Sequence, residues 1–284
     1  MRIVVTGATG NVGTALLRVL ADAGDHAVVG IARRPPEHAF AGVSWVAADL
    51  TSDASLPPLR EAMSGADAVV HLAWGFQPSH DLDHLEELGV GGTRRVLEAA
   101  RAERVPHLVH MSSVGAYSPK ADDEPVDESH PTGGIPSSPY SRHKVAAERL
   151  LDEHERTHDT PAVARLRPGI MGQRDAASAL LRYGLPGFVP ARVVRLLPVL
   201  PLDRRLAIPM VHAHDVADAI ERVLTHRAVG AFNLAAPPPV TPPLIAEVLG
   251  ARHLHVPSGA LRAAAALSWR VHLQQVDPGW LDLA

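Results

Sequence analysis

A glycine-rich loop near the start of the chain constrains the fold more than any other feature. Residues 2–5 form a candidate buried strand, and the sequence TGATGNVG at 6–13 leads from it directly into a helical pattern. In such a loop the first glycine allows a tight turn, the second lets the backbone approach a pyrophosphate, and the third allows close helix–strand packing. The free N–H groups at the helix start also favour phosphate. The loop predicts a dinucleotide site formed by Gly7, Thr9, Gly10, Asn11, Val12 and Gly13.

Short apolar runs alternate with helical patterns through the first two thirds of the 284 residues. This alternation predicts right-handed βαβ units and a parallel sheet, and the unbroken apolar runs indicate strands covered on both faces. The predicted fold is therefore an α/β, doubly wound parallel sheet of the Rossmann type. Its strands are predicted at 2–5, 27–32, 43–48, 68–73, 107–112 and 162–166, and its helices at 11–23, 56–64, 82–103 and 139–154.

The pattern changes after residue 167, where a stretch rich in Leu, Val, Arg and Pro has no clean period. A strand-to-helix pattern resumes over 210–224, and a short strand follows at 232–235. We therefore predict a discontinuous division of the chain. Residues 1–167 and 208–236 form the dinucleotide-binding domain, and residues 168–207 and 237–284 form a small C-terminal substrate-binding lobe, with a strand near 253–256 and a helix over 259–274.

Composition excludes several classes of protein. Apolar residues make up 46% and charged residues 20% of the chain, which is ordinary globular usage. A net charge of -4 argues against a nucleic-acid partner. The absence of cysteine removes disulfides, thiolate metal ligands and cysteine nucleophiles. Since the sequence has neither a long uncharged apolar run nor a signal-peptide pattern, we expect a cytoplasmic protein without a membrane partner.

The end of the second predicted strand bears on the choice of cofactor. An acidic residue at this point usually binds the ribose hydroxyl of NAD, whereas here the strand ends in Arg33 and Arg34. Guanidinium groups suit a 2′-phosphate through paired hydrogen bonds. The sequence therefore favours NADP over NAD, with the alternative that both arginines are solvated loop charges.

Tyr140 and Lys144 form the strongest candidate for catalysis. Ser138 is a plausible N-cap and Pro139 fits the first helical position, so two residues four apart share one helix face. A nearby ammonium lowers the pKa of a phenol and makes it usable as an acid or base. Ser113 ends the fifth predicted strand, at the sheet edge where ligands bind, and its hydroxyl could bind a substrate carbonyl or its own backbone.

Together these segments resemble the short-chain dehydrogenase/reductase superfamily, and above all its extended branch, the NAD-dependent epimerase/dehydratase family. The resemblance spans residues 1 to about 236. It rests on the glycine loop, Ala48-Asp49-Leu50, Val70-His71-Leu72-Ala73, the segment from Ser112 to Tyr117, Tyr140-xxx-Lys144, Leu166-Arg167-Pro168-Gly169, the segment from Val211 to Asp218, and Asn233-Leu234-Ala235.

The resemblance implies roles for particular residues. Tyr140 would be the general acid/base, Lys144 would bind the nicotinamide ribose and lower the pKa of Tyr140, and Ser113 would orient the substrate. Further cofactor contacts would come from Asp49 and Leu50 at the adenine end and from Leu72, Ala73 and Pro168, while Trp74 and Met171 would face the substrate. It also implies a homodimer, in which the helix over 82–103 and the Tyr140 helix pack across a twofold axis.

The sequence departs from the family pattern in two places. The usual Asn-Val-x-Gly-Thr is Gly89-Val90-Gly91-Gly92-Thr93 here, which removes the asparagine and loosens the helix, because each glycine costs about 1 kcal/mol relative to alanine. The usual Tyr-Gly-Pro is replaced by Met171-Gly172-Gln173. The aromatic and polar substrate signature of the nucleotide-sugar branches is not seen after this point.

The lobe gives the clearest indication of the substrate. An apolar lining is predicted from Met171, Leu180, Leu181, Leu185, Phe188, Val189, Val193, Val194, Leu196 and Leu197. Arg174, Arg182, Arg192 and Arg195 leave open a diphosphate or carboxylate group, with the favoured alternative that most of them form a solvated, cationic helix face. His212, His214 and Asp215 could suggest a metal, but this stretch is a structural motif in the family, so no metal site is predicted.

These observations favour an NADP(H)-dependent oxidoreductase that acts on a small, fairly apolar carbonyl or alcohol. Hydride would pass between the nicotinamide and a carbon of the substrate, with Tyr140 transferring the proton. Two other functions stay open: a nucleotide-sugar epimerase or dehydratase with tightly bound NAD, and a non-catalytic NADP(H) sensor.

Overall fold

The computed structural model describes residues 1–24, 26–36, 40–75, 79–122, 124–173, 198–273 and 277–283. The strands in this part of the chain are β1 (Arg2–Thr6), β2 (Ala27–Ala32), β3 (Val43–Ala47), β4 (Ala68–His71), β5 (His107–Met111), β6 (Ala162–Pro168), β7 (Ile170–Gly172), β8 (Val199–Leu202), β9 (Ile208–His212), β10 (Gly230–Leu234), β11 (Ala236–Val240) and β12 (Arg252–His255).

The helices are α1 (Asn11–Ala23), α2 (Leu56–Met63), α3 (Leu82–Glu86), α4 (Gly92–Ala102), α5 (Pro139–Thr157), α6 (Ala213–His226), α7 (Pro242–Leu249) and α8 (Ser258–Arg270). A π-helical turn, Glu87–Gly91, joins α3 to α4. Short 3₁₀ turns occupy Asp53–Ser55, Val114–Ala116 and Pro278–Asp282.

The main sheet confirms the predicted architecture. It has seven strands in the order β10-β6-β5-β4-β1-β2-β3, and every neighbouring pair is parallel. Ile3 and Val5 point to one face, where α1 packs with α6, while Val4 points to the other face, where α2 and α4 lie. Because consecutive strand residues face opposite sides, coverage by helices on both faces explains why the strands read as unbroken apolar runs.

Two smaller sheets lie outside the main one. β9 pairs in parallel with β7 and antiparallel with β11, and β8 pairs in parallel with β12. The strands β7, β8 and β11 were not expected from the sequence. The division into a dinucleotide-binding domain and a substrate-binding lobe stays a prediction, and β9, which it places in the former, pairs within the second sheet.

The long helix predicted over 82–103 is divided into α3, the π-helical turn and α4. Gly89 and Gly91 lie inside that turn, where low helix propensity lets the backbone depart from α-helical hydrogen bonding. The start of α5 follows the prediction closely. Ser138 is the N-cap and accepts from the backbone N–H of Ser141 at 3.4 Å, and Pro139 is the first helical residue.

Candidate active site

The glycine loop lies at the carboxyl end of β1, in the middle of the sheet. Gly7 has a φ of +70°, and a Cβ on it would lie 2.7 Å from the backbone nitrogen of Ala73. A Cβ on Gly13 would lie 2.4 Å from the Gly7 carbonyl oxygen. Gly10, the N-cap of α1, provides no side-chain capping hydrogen bond. The loop therefore brings the unprotected end of a helix close to neighbouring backbone, as a phosphate cradle requires.

A cavity of about 330 Å³ opens beside this loop, at the carboxyl ends of the central strands. Such an edge is where open α/β sheets bind their ligands. Most of the predicted site residues line it: Gly7, Gly10, Asn11, Val12, Gly13, Leu72, Trp74, Ser113, Tyr140, Lys144, Pro168 and Met171.

Six predicted residues are not among those that line the cavity: Thr9, Arg33, Arg34, Asp49, Leu50 and Ala73. Arg33 and Arg34 are exposed at the end of β2, next to the loop, where the Gly7 N–H donates to the Ile31 carbonyl at 3.0 Å. Asp49 is exposed after β3. Hydrogen bonds from Thr51 and the charge of Arg33 lower the pKa of Asp49. Arg33 and Asp49, at the ends of the neighbouring strands β2 and β3, are thus close enough for their charges to interact.

Ser113 and Tyr140 meet inside the cavity. The two hydroxyls are hydrogen-bonded, and burial raises the pKa of Tyr140 to about 12 although the bond from Ser113 acts to lower it. This upward shift is opposite in direction to the lowering of the Tyr140 pKa by Lys144 that the resemblance implies. The Lys144 ammonium lies 5.8 Å from the centre of the phenol ring and donates to the Met111 carbonyl at 2.8 Å, so desolvation of the phenol outweighs its charge.

Lys144 is itself almost fully buried, at 2% exposure. Its Nζ lies 3.4 Å from the centre of the Trp74 ring. Burial lowers the pKa of Lys144 well below its usual value, and the charge of Glu148 opposes that effect. The lysine is therefore held by a carbonyl and an aromatic face.

A buried ion pair between Arg167 and Glu148 lies next to the catalytic residues, and it was not predicted from the sequence. Arg167 donates to both carboxylate oxygens of Glu148, at 2.9 and 2.6 Å, and both residues are below 5% exposure. Ser112 donates to the same carboxylate at 2.5 Å. The hydrogen bond from Ser112 holds the end of β5, which Ser113 follows, against α5. The available signal was that Glu148 follows Lys144 by four residues and so lies on the same helix face.

The turn Pro278–Asp282 also contributes to the site, which was not predicted. Trp280 and Leu283 line the cavity, and the rings of Trp280 and Tyr140 lie 4.7 Å apart at an angle of 32°. No local pattern in the sequence indicates this contact, because it joins residues that are far apart along the chain.

Asn11 connects the glycine loop to the second sheet. Its Nδ2 donates to the Met171 carbonyl at 3.0 Å, and Gln173 Nε2 donates to the Asn11 carbonyl at 2.9 Å. The predicted substrate residues between 174 and 197, including Leu180, Phe188 and four arginines, lie outside the described residues.

The histidines of the β9–α6 junction have a structural role. His212 is the N-cap of α6, and its Nδ1 accepts from the backbone N–H of His214 at 3.2 Å. Among the residues that the structure describes, no three His, Cys, Asp or Glu side chains are grouped as a metal site would need. No helix in the described ranges is both long and apolar enough to cross a bilayer. The cytoplasmic location stays a prediction.

Comparison with known proteins decides the family. Residues 3–235 match the profile of the NAD dependent epimerase/dehydratase family. The chain belongs to this family. It is thus an enzyme of the NAD(P)-dependent short-chain dehydrogenase/reductase and epimerase type, as its sheet topology and glycine loop also indicate.

Three relatives place the chain within the family. It is 32% identical to L-arabinose 1-dehydrogenase (NAD(P)(+)) of Haloferax volcanii over 75% of this chain and 89% of that protein. It is 30% identical to sterol demethylase protein B of Methylococcus capsulatus over 72% of this chain and 66% of that protein. A short-chain dehydrogenase/reductase superfamily protein from Agrobacterium tumefaciens, solved with bound NAD, is 26% identical with a TM-score of 0.71, covering 90% of this chain and 85% of that one.

Proposed function

We propose that this protein is an NADP(H)-dependent oxidoreductase that interconverts a small, fairly apolar carbonyl compound and its alcohol. One observation carries the proposal: the Ser113–Tyr140 hydrogen bond lies in a cavity with a phosphate-cradling glycine loop on one side and apolar side chains on the other. A carbonyl oxygen bound beside these two hydroxyls would lie between the glycine loop, where we propose that the dinucleotide binds, and the apolar wall of the cavity.

The residues present fit a dinucleotide. Gly7 and Gly13 leave no space for a Cβ, and Gly10 leaves the α1 N-terminus unprotected, which suits a pyrophosphate. Arg33 and Arg34 are exposed at the end of β2 and suit a 2′-phosphate. A relative that uses NAD(P)(+) and a neighbour with bound NAD support the same cofactor class, with NAD as the alternative to NADP. The bound nicotinamide supplies the hydride chemistry.

Tyr140, Ser113 and Lys144 have separate roles in the proposed reaction. In the direction of reduction, the Tyr140 hydroxyl donates its proton to the carbonyl oxygen, and the Ser113 hydroxyl orients that oxygen. In the direction of oxidation, the phenolate accepts the proton of the alcohol. Lys144 lines the same cavity, where its side chain would hold the ribose of the nicotinamide.

The apolar wall of the cavity supports the proposed substrate class. Ile170, Met171, Ile208, Trp280 and Leu283 line it. Such a surface favours an apolar ligand by about 25 cal/mol per Å² that it buries. The relative named sterol demethylase protein B supports an apolar substrate, whereas the arabinose dehydrogenase leaves a free sugar as the second class to test.

The proposal is tested with wild-type protein and Tyr140→Phe. NADPH and NADH are titrated by fluorescence, and turnover is measured on a panel of apolar ketones, aldehydes and aldoses. We expect tighter binding of NADPH, turnover of an apolar carbonyl by the wild type, and loss of turnover without loss of binding in Tyr140→Phe. Tyr117→Phe removes another buried phenol hydroxyl, one that bonds to Arg167 and Asn233 rather than lining the cavity, and so controls for the loss of such a group.

Retained turnover in Tyr140→Phe would contradict the acid/base role. A purified protein that already carries tightly bound NAD would contradict exchange of NADPH in each cycle. That result would favour an epimerase or dehydratase, in which the oxidation is reversed within one turnover.

We also propose a homodimer formed by the α3–α4 and α5 face. A shallow depression on this face is lined by Val90 and Leu150 together with the charged Asp83, Glu86, Glu87 and Arg94. Sedimentation of the wild type should give twice the mass of one chain, and Leu150→Arg should give a monomer. A monomeric wild type at micromolar concentration would contradict this assembly.

A further inference from the structure

Trp74 lies in a slot whose far wall is Gly89, inside the π-helical turn. A Cβ at Gly89 would lie 3.0 Å from two carbons of the indole six-membered ring. Such a distance is tighter than most Cβ contacts in proteins, so an alanine here would displace the indole by a few tenths of an ångström, although a helix interior normally favours alanine over glycine. A residue that weakens the helix is therefore present where it makes room for the indole.

A series of hydrogen bonds connects the strand end next to Trp74 with the turn that contains Gly89. The Thr93 hydroxyl donates to the Gly89 carbonyl at 2.7 Å, so it accepts from His71 Nε2 at 3.1 Å. His71 Nδ1 then accepts from the Thr6 hydroxyl at 2.7 Å. Burial and the charge of Lys144 lower the pKa of His71 to about 3, so its ring is neutral, as this pattern requires. This series of hydrogen bonds connects β1 and β4 to the π-helical turn that Trp74 contacts.

The face of the indole meets the lysine of the site. Lys144 Nζ lies 3.4 Å from the centre of the Trp74 ring, well inside the range of a cation–π contact. An ammonium has three N–H groups. One donates to the Met111 carbonyl at 2.8 Å and the indole covers a second side, which leaves the cavity as the direction for the third. Trp74 also meets Tyr140 edge to face, with ring centres 6.5 Å apart.

We propose that Trp74, admitted by the missing side chain of Gly89, is a positioning residue that aims the Lys144 ammonium into the active site. The inference rests on the proposed function for the role of Lys144, but the placement of the ammonium stands independently. It also explains why residue 89 is glycine rather than the asparagine usual in the family. The space that a side chain at residue 89 would need is occupied by the indole ring of Trp74, which follows β4.

The placement is tested without turnover, because the chain has only two lysines, Lys120 and Lys144. Protein labelled with ¹³C at the lysine ε carbon gives two signals, and Lys120→Arg assigns them. We expect the Lys144 signal upfield of Lys120 through the ring current of the indole, and a shift toward the Lys120 position in Trp74→Leu. Trp74→Phe should keep part of the upfield shift. A Lys144 signal that is the same in wild type and Trp74→Leu would overturn the inference.

The consequence for catalysis is tested with the same variants. Trp74→Leu should lower kcat by about tenfold with a smaller change in KM, and Trp74→Phe should recover most of the loss. Gly89→Ala, which leaves Trp74 in the chain but crowds its slot, should move the Lys144 signal and kcat in the same direction as Trp74→Leu. Trp269→Leu, on α8 and outside the cavity lining, is the control.

Unchanged kcat in Trp74→Leu would overturn the positioning role even if the NMR signal moves. If the wild type turns over no carbonyl on the panel, the proposed function fails, and the NMR comparison alone then decides whether Trp74 places the ammonium.

Discussion

The hydroxyl of Ser137 donates a hydrogen bond to Asp282 Oδ2 at 2.5 Å. Arg262 Nη1 lies 3.3 Å from the same oxygen. Gly279 packs so closely on this region that a Cβ would lie 2.3 Å from the Ser137 carbonyl oxygen. These contacts hold the turn Pro278–Asp282 against the start of α5, with Trp280 over Tyr140. The final described turn of the chain is thus part of the site wall.

Removal of the Trp280 side chain should weaken substrate binding. Burying a large apolar side chain contributes about 1.5–3 kcal/mol, so Trp280→Ala should raise KM for an apolar carbonyl by about ten- to a hundredfold. Dinucleotide affinity, measured by fluorescence titration, should change little. Trp269→Ala, which loses a ring stacked on His80 outside the cavity, should leave KM near the wild-type value. Equal KM values for Trp280→Ala and wild type would exclude Trp280 from the substrate pocket.

The pH profile should differ between the two directions of reaction. Burial raises the pKa of Tyr140 to about 12, so the phenol is protonated through the neutral range. Carbonyl reduction, which needs the phenol, should be flat from about pH 6 to about pH 9, and alcohol oxidation, which needs the phenolate, should rise about tenfold per pH unit.

Ser113→Ala provides a check on that assignment. The hydrogen bond from Ser113 lowers the pKa of Tyr140, so its loss should move the rise in oxidation toward higher pH. Steady-state kcat/KM profiles of both proteins measure this. An oxidation rate that already levels off near neutral pH would show that Tyr140 titrates far below the expected range.

The two arginines after β2 should determine the preference for NADPH. A hydrogen bond to a charged group is worth about 1.5–3 kcal/mol, so Arg33→Ala and Arg34→Ala should each weaken NADPH binding about tenfold or more. NADH lacks the 2′-phosphate and should bind as it does to wild type. Arg101→Ala, an exposed arginine at the end of α4, is the control. Equal losses for NADPH and NADH would rule out a contact with the 2′-phosphate.

The buried Glu148–Arg167 pair should matter for stability as well as for the site. Removing one partner of a buried ion pair costs about 3–5 kcal/mol, because the other charge stays buried. Glu148→Gln should therefore lower the free energy of unfolding strongly in urea titrations. Glu153→Gln breaks the exposed pair with Arg156 and should cost at most about 1 kcal/mol. A small effect of Glu148→Gln would mean that Arg167 finds other partners.

The fold was largely predictable because its signals are local. Strands such as β1, β2 and β4 are mostly short apolar runs, and the helix between two such runs has its own period. β11 shows why other elements were missed. Its sequence, APPPV, contains three prolines, which normally argue against a strand, and it pairs with β9 only at Ala236 and Val240, with an irregular register between them.

The site was predictable where spacing alone determines it. Tyr140 and Lys144 share a helix face whether the helix is buried or exposed, so their pairing follows from the sequence. The pKa of Tyr140 does not, because it depends on how much water the surrounding side chains exclude. Trp280 was missed for a related reason: the bond that anchors its turn joins residues 145 positions apart.

The pair of hydrogen bonds at Asn11 has a consequence for how the two sides of the cavity move. Asn11 is the first residue of α1 and its side chain also holds the carbonyl of Met171, which lines the opposite side of the cavity. A displacement of the glycine loop would therefore be transmitted to Met171 through this side chain. The loop and the apolar wall thus behave as one mechanical unit, although they belong to different sheets of the protein.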